Sequence, residues 1–206
     1  MSALLKLSRL IDSLNEWVGK LILWLVLAAV VISAGNASLR KAFNIGSNAS
    51  LEIQWYLFAA VFMLGVGYAM LKNAHVRIDF ISNKLSKRTN AIIDAIGIVV
   101  FTIPLSIIMI DLSAPLFLRA WTTGEMSQNA GGLIRWPVWL LLPTGFVILL
   151  LQAVSELIKR IAFVRGHLSE PFSGDDGKSD EEKLAEELAA EAARHEQALA
   201  AAGKAR

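Results

Sequence analysis

Cysteine is absent from this chain, which excludes disulfides and thiolate metal sites. Histidine is scarce. His167 and His195 fall in a polar C-terminal stretch, and His75 lies in a basic loop with no obvious metal partner. The chain also lacks the G-x-x-x-x-G-K-[ST] phosphate loop, the G-x-S-x-G nucleophile elbow and the H-E-x-x-H zinc helix. No catalytic, cofactor or metal site is expected, and the chain does not read as an enzyme. Charge is thin as well, at 18% of residues, and none of it falls at the middle of the long apolar runs.

Those runs dominate what is present. Hydrophobic residues make up 55% of the 206, with a mean hydropathy of +0.52. A bilayer core of ~30 Å is crossed by ~20 apolar residues in a helix, and four segments qualify. They are expected at about 17–39, 51–71, 91–118 and 138–158. Pro104, Pro115 and Pro143 lie in or near spans and are read as kinks, because transmembrane helices tolerate proline where neighbours satisfy the freed carbonyls. Trp121, Trp136 and Trp139 cluster about the third loop, as an interfacial aromatic belt would. The small residues after the first apolar core, SAGNAS, also fit a cleaved signal. The long leading segment with Asp12 and Glu16 does not, so the first span is expected to be retained.

The formal charge of +2 hides an asymmetry. Residues 1–168 hold 15 Lys/Arg against 8 Asp/Glu, a net of +7, whereas residues 169–206 hold 5 against 10, a net of −5. Within the first part, eleven Lys/Arg flank one side of the spans and four, Arg40, Lys41, Arg119 and Arg135, flank the other. The positive-inside bias then places both termini in the cytoplasm. The acidic 169–206 segment reads as a cytoplasmic linker followed by a helix. Ser179 and Glu182 have capping-box spacing, and Leu184 and Leu188 form a narrow i, i+4 apolar stripe. The fold expected is therefore an all-α integral membrane protein with four transmembrane helices in residues 1–168 and a cytoplasmic helix in 169–206.

Ionisable groups within spans default to functional hypotheses. Asp94 and Asp111 are 17 residues apart, or ~26 Å at helical rise, which places each near an edge of the third span. Glu52 opens the second span. Glu156 closes the fourth, with Lys159 and Arg160 at ion-pair spacing. These charges are expected to fix helix depth and to pair with neighbouring helices. A carrier with its own transport site normally holds charge or broken helices at mid-depth, and no such feature is evident. Small residues at Ala29, Ser33 and Ala37, and at Gly65 and Ala69, have the spacing that lets helices approach closely. The basic inner loop is explained by membrane flanking, so no nucleic-acid partner is expected.

Two stretches carry a resemblance. In EIQWYLFAAVFMLGVGYAMLKNAHVRIDFIS, at 52–82, Glu52 opens a helix, Gly65 and Gly67 follow, and His75, Val76, Arg77, Ile78 and Asp79 end it in a basic turn. In RWPVWLLLPTGFVILLLQ, at 135–152, Trp136 and Trp139 precede Pro143, Gly145 and Phe146. With four spans and inside termini, the chain over about 10–165 resembles the small-permease (DctQ-like) subunit of tripartite ATP-independent periplasmic (TRAP) transporters. The resemblance implies the small subunit of a secondary-active importer in the bacterial inner membrane. Its partners would be a large membrane subunit that moves an organic acid or related solute on an ion gradient, commonly sodium, and a periplasmic solute-binding protein. The small subunit would serve as scaffold. At the His75–Asp79 turn, Lys72 and Arg77 are expected to meet membrane lipid phosphates. The small subunit of a tripartite tricarboxylate-type transporter, and a self-contained four-helix carrier or enzyme, are the alternatives.

The Lys/Arg asymmetry makes a testable topology. A cysteine introduced at Ser47 should react with a membrane-impermeant maleimide in intact cells, and one at Ser86 should not. The reverse pattern would overturn the orientation.

Overall fold

The computed structural model describes residues 2–44, 46–74 and 85–168, together with Leu188, Ala189 and Glu191. Four helices among the described residues are long and apolar enough to cross a membrane: Ser2–Phe43, Asn48–Leu71, Lys87–Thr123 and Trp136–Val164. We label them α1 (Ser2–Phe43), α2 (Asn48–Leu71), α3 (Lys87–Gly97), a π-helical segment (Ile98–Thr102), α4 (Ile103–Thr123) and α5 (Trp136–Val164). The third span thus comprises α3, the π segment and α4. The chain divides into two compact units, Met1–Ser173 and Gly174–Arg206. In the second, Leu188, Ala189 and Glu191 are helical, while the capping pair Ser179–Glu182 and Leu184 lie outside the described residues.

The helices overrun the expected spans, and most of the excess is polar. α1 begins at Ser2 rather than near Trp17, and α5 continues to Val164 rather than Ile158. The additions are held by packing. The first four turns of α1 carry a stripe, Ser8, Ile11, Asn15 and Val18, that is buried and follows helical periodicity. α3 begins at Lys87, four residues before the apolar run, because Ser86 caps it by accepting from the Thr89 N–H at 3.1 Å. At the far end, Gly124 adopts φ +62° and stops α4, a left-handed conformation that glycine enters without a Cβ clash.

The three prolines do not interrupt the spans. Pro115 and Pro143 sit inside α4 and α5. Pro104 is the second residue of α4, which directly follows the π segment. A π turn absorbs one extra residue and is a common answer to a disrupted hydrogen-bond ladder.

α5 is the central helix, packing against α1, α2, α3, the π segment and α4, while α1 runs along α2. The interior is unlike that of a soluble bundle. Its apolar members are mostly alanine (Ala29, Ala60, Ala91, Ala120, Ala153 and Ala162), and its largest fully buried side chains are Gln152 and Asn15. The large apolar residues, including Trp24, Trp55, Phe62 and Phe101, point outward. Lipid tails are as apolar as leucine, so burial of large apolar groups does not drive these helices together. Close approach through small residues and interhelical hydrogen bonds do.

Glycine marks the closest approaches, though not quite where spacing alone placed them. A Cβ on Gly145 would lie 2.5 Å from the Met63 carbonyl oxygen of α2. One on Gly67 would overlap the Asn15 amide oxygen and lie 2.6 Å from Ile148 Cγ2. One on Gly65 would meet only Ile22, at 3.4 Å. Gly67 and Gly145, both motif residues, are therefore the tight positions, with Gly19 against Tyr68. Backbone cannot yield at Gly145, so Gly145→Ala should destabilise the bundle by ~1–3 kcal/mol, the usual cost of overpacking. Gly35→Ala, where nothing lies within 4 Å, should be neutral or slightly stabilising because alanine favours helix. Thermal unfolding of the two variants in detergent checks the contrast.

Candidate functional site

Two polar constellations stand out, one at each end of the bundle. The first joins α1 to α5. Ser8, Asp12 and Asn15 lie at i, i+4 and i+7 on α1, and Gln152, Ser155, Glu156 and Lys159 at i, i+3, i+4 and i+7 on α5. Each set therefore forms a stripe on one face, and the stripes meet with the helices antiparallel. The Ser8 and Ser155 hydroxyls are 2.7 Å apart. Asp12 accepts from the Ser155 hydroxyl at 2.8 Å and from the Gln152 amide at 3.0 Å, and it pairs with Lys159 at 3.2 Å. Asn15 donates to the Gln152 carbonyl oxygen at 2.8 Å.

The network then turns along α5 and across to α3. Glu156 pairs with Lys159 at 2.5 Å and with Arg160, whose guanidinium also reaches Asp94 at 3.5 Å. The Lys159, Glu156 and Arg160 side chains are 3–6% exposed. Charges removed from water to this degree are tolerated only when paired and hydrogen-bonded, and here each has at least one opposite partner. Among the described residues the Asn15 amide oxygen has no hydrogen-bond partner, and it is the atom that fills the space a Cβ on Gly67 would need. Lys72 adds an exposed pair to Glu16 at 3.4 Å, which on general grounds contributes little.

The second constellation is a clamp on the 124–135 loop. Asn48, Glu52 and Tyr56 stand at i, i+4 and i+8 on the first turns of α2. Asn48 donates to the Ala130 carbonyl at 2.9 Å, and the Tyr56 hydroxyl to the Ile134 carbonyl at 3.2 Å. Glu52 is buried. Its carboxylate accepts from the Ser127 hydroxyl, from Asn129 Nδ2 at 2.8 Å and from the Leu133 N–H at 2.7 Å. The loop closes on itself through a Met126–Ile134 bridge and a Glu125–Arg135 ion pair at 2.6 Å. Gly132 has no room for a side chain, since a Cβ would lie 2.9 Å from Glu52 Oε1. Beside the loop, Trp121 and Trp136 meet edge to face at 4.7 Å, and Arg135 lies over Trp139 at 5.6 Å.

The sequence-selected residues therefore divide. Glu52 anchors the clamp, Trp136 joins the aromatic pair, and Gly67 and Gly145 are tight packing points. Gly65 makes only ordinary contact, and Pro143 continues α5. His75, Arg77 and Asp79 lie outside the described residues. Asp94 pairs with a neighbouring helix as expected, but Asp111 is exposed and has no ion pair among the described residues. Sequence reading missed the α1–α5 seam. Its signal was the matching polar stripes at helical spacing, with Asp12 read only as evidence against a signal peptide.

Fold and sites together define a multi-pass membrane protein of four spans whose buried polar groups bind helices and loops to one another. Residues 29–163, about two thirds of the chain, match the family model described as tripartite ATP-independent periplasmic transporters, DctQ component. The chain belongs to that family, a transporter component and not an enzyme family, and is the small permease subunit of a system that also has a large membrane subunit and a solute-binding protein. No curated protein and no solved structure matches it.

The seam makes a sharp prediction. Lys159→Met leaves the half-buried Asp12 without its cation and Glu156 with Arg160 alone, and should cost up to about 3 kcal/mol, the low end for breaking a buried pair. Adding Asp12→Asn should cost less than the sum of the two single changes, because both act on one pair. Chemical unfolding of the single and double variants in mixed micelles measures the coupling.

Proposed function

We propose that this chain is the stationary scaffold of a secondary-active importer in the bacterial inner membrane, with both termini in the cytoplasm. In this reading the large membrane subunit moves an organic acid or related solute on an ion gradient, sodium above others. The periplasmic binding protein delivers the solute. The small subunit supplies a rigid wall and a presented loop.

One observation carries the scaffold role. Asp12, Glu156, Lys159 and Arg160 are matched to one another across α1 and α5, and so are not left facing a solute path. A carrier places ionisable groups or broken helices around its cargo near mid-depth. The Glu52 clamp supports the same role, because it makes the 124–135 loop a fixed surface on the side assigned to the periplasm. The acidic 169–206 segment is read as a solvated cytoplasmic element, dispensable for assembly.

Reconstituted alone, the chain should show no uptake. Combined with its large subunit and binding protein, it should accumulate solute under an inward sodium gradient. A version truncated after Leu168 should do so equally well. Gradient-driven uptake by the purified small subunit would sink the scaffold reading.

A further inference from the structure

Among the described residues, Asp111 is the span carboxylate without a partner. Its position on α4 is fixed by the buried stripe of that helix. Ser106, Ser113 and Ala120 recur every seven residues and face the bundle. The two serine hydroxyls are satisfied by their own helix, Ser106 donating to the Thr102 carbonyl at 2.7 Å and Ser113 to the Met109 carbonyl. At about 100° per residue, Asp111 stands nearly opposite that stripe. It is exposed, as are Pro104, Ile107, Pro115 and Leu118 on the same face. Among the described residues it has no ion pair and no side-chain hydrogen bond.

Depth makes this costly. Arg119 and Trp121 mark the interface at the loop end of α4. Asp111 lies eight residues inside Arg119, ~12 Å at helical rise, deeper than the span edge that its spacing from Asp94 alone suggested. An aspartate has too short a stem to bring its charge back to water over that distance, unlike lysine or arginine. Ionisable residues at such depth face a protein interior and find partners. A second acceptor lies in the same turn. Pro115 sits four residues after Asp111 inside α4, so it has no N–H for the Asp111 carbonyl. In membranes such freed carbonyls are satisfied by neighbouring helices.

We propose that the outward face of α4 centred on Asp111 is the docking surface for a helix of the large membrane subunit, and that this helix brings a basic side chain to Asp111. The proposal rests on the small-subunit assignment above. A carboxylate and a free carbonyl on one turn call for a donor with several N–H groups, which favours arginine over lysine. The flanking Ile107 and Leu118, 53% and 56% exposed, supply apolar contact on either side.

The experiment co-expresses the tagged full chain with its large subunit and measures the large subunit recovered. Asp111→Lys should lower recovery about tenfold or more, the scale of a like-charge contact in a buried interface. Asp111→Leu should also lower recovery while leaving the thermal midpoint of the isolated chain unchanged or raised. A photo-crosslinking residue at Ile107 should form an adduct with the large subunit. Undiminished recovery of Asp111→Lys, destabilisation of the isolated Asp111→Leu chain, or crosslinking to lipid or to a second copy would each overturn the proposal. A wild-type chain that recovers no large subunit would remove the partnership itself. An intact wild-type complex indifferent to Asp111 would remove only this face.

Discussion

The antiparallel contact between α1 and α5 is the interaction on which the rest of the bundle depends. It brings Asp12 to Lys159 and Asn15 to Gln152, and through Arg160 it reaches Asp94 on α3. In lipid an apolar face gains nothing by choosing another helix over an acyl chain. Hydrogen bonds between helices and close backbone approach are what distinguish one neighbour from another. The seam provides the hydrogen bonds, and Gly67 and Gly145 provide the close approach that seats α2 on the same central helix.

At the other end the same logic is applied to a loop. Irregular backbone at a membrane surface has polar groups that need partners, and α2 supplies them from a single face. Glu52 is the centre of that arrangement because a carboxylate accepts several donors at once. It takes two side chains and a main-chain N–H from three positions of the loop. A neutral side chain of the same size would satisfy fewer of them. The two ends thus differ in kind, one tying helix to helix and the other tying helix to loop.

Asp94 and Asp111 show how similar residues on one span acquire opposite roles. Asp94 falls where α3 crosses α5 and meets Arg160. Asp111 falls on α4 nearly opposite Ser113 and has no polar partner among the described residues. The difference is one of angle around the helix, with the π segment between them shifting the register by one residue. A charge turned inward stabilises the subunit, and a charge turned outward at depth needs a second protein.

Composition and hydropathy by themselves determined that the chain crosses a membrane four times, because ~20 apolar residues in a helix have no other stable solvent. The family was legible too, since Glu52, the glycines and the Trp–Pro–Gly stretch are local patterns that survive without coordinates. Helix ends were less so. Hydropathy stops at Trp17, whereas α1 continues to Ser2 because its polar stripe packs on α5, a contact between residues some 140 positions apart. The tertiary structure alone decided which small residues are tight, which charges are matched and where Glu52 points. Those outcomes depend on the rotation of each helix against its neighbours. Rotation is set by packing across the bundle, which no single helix records in its own sequence.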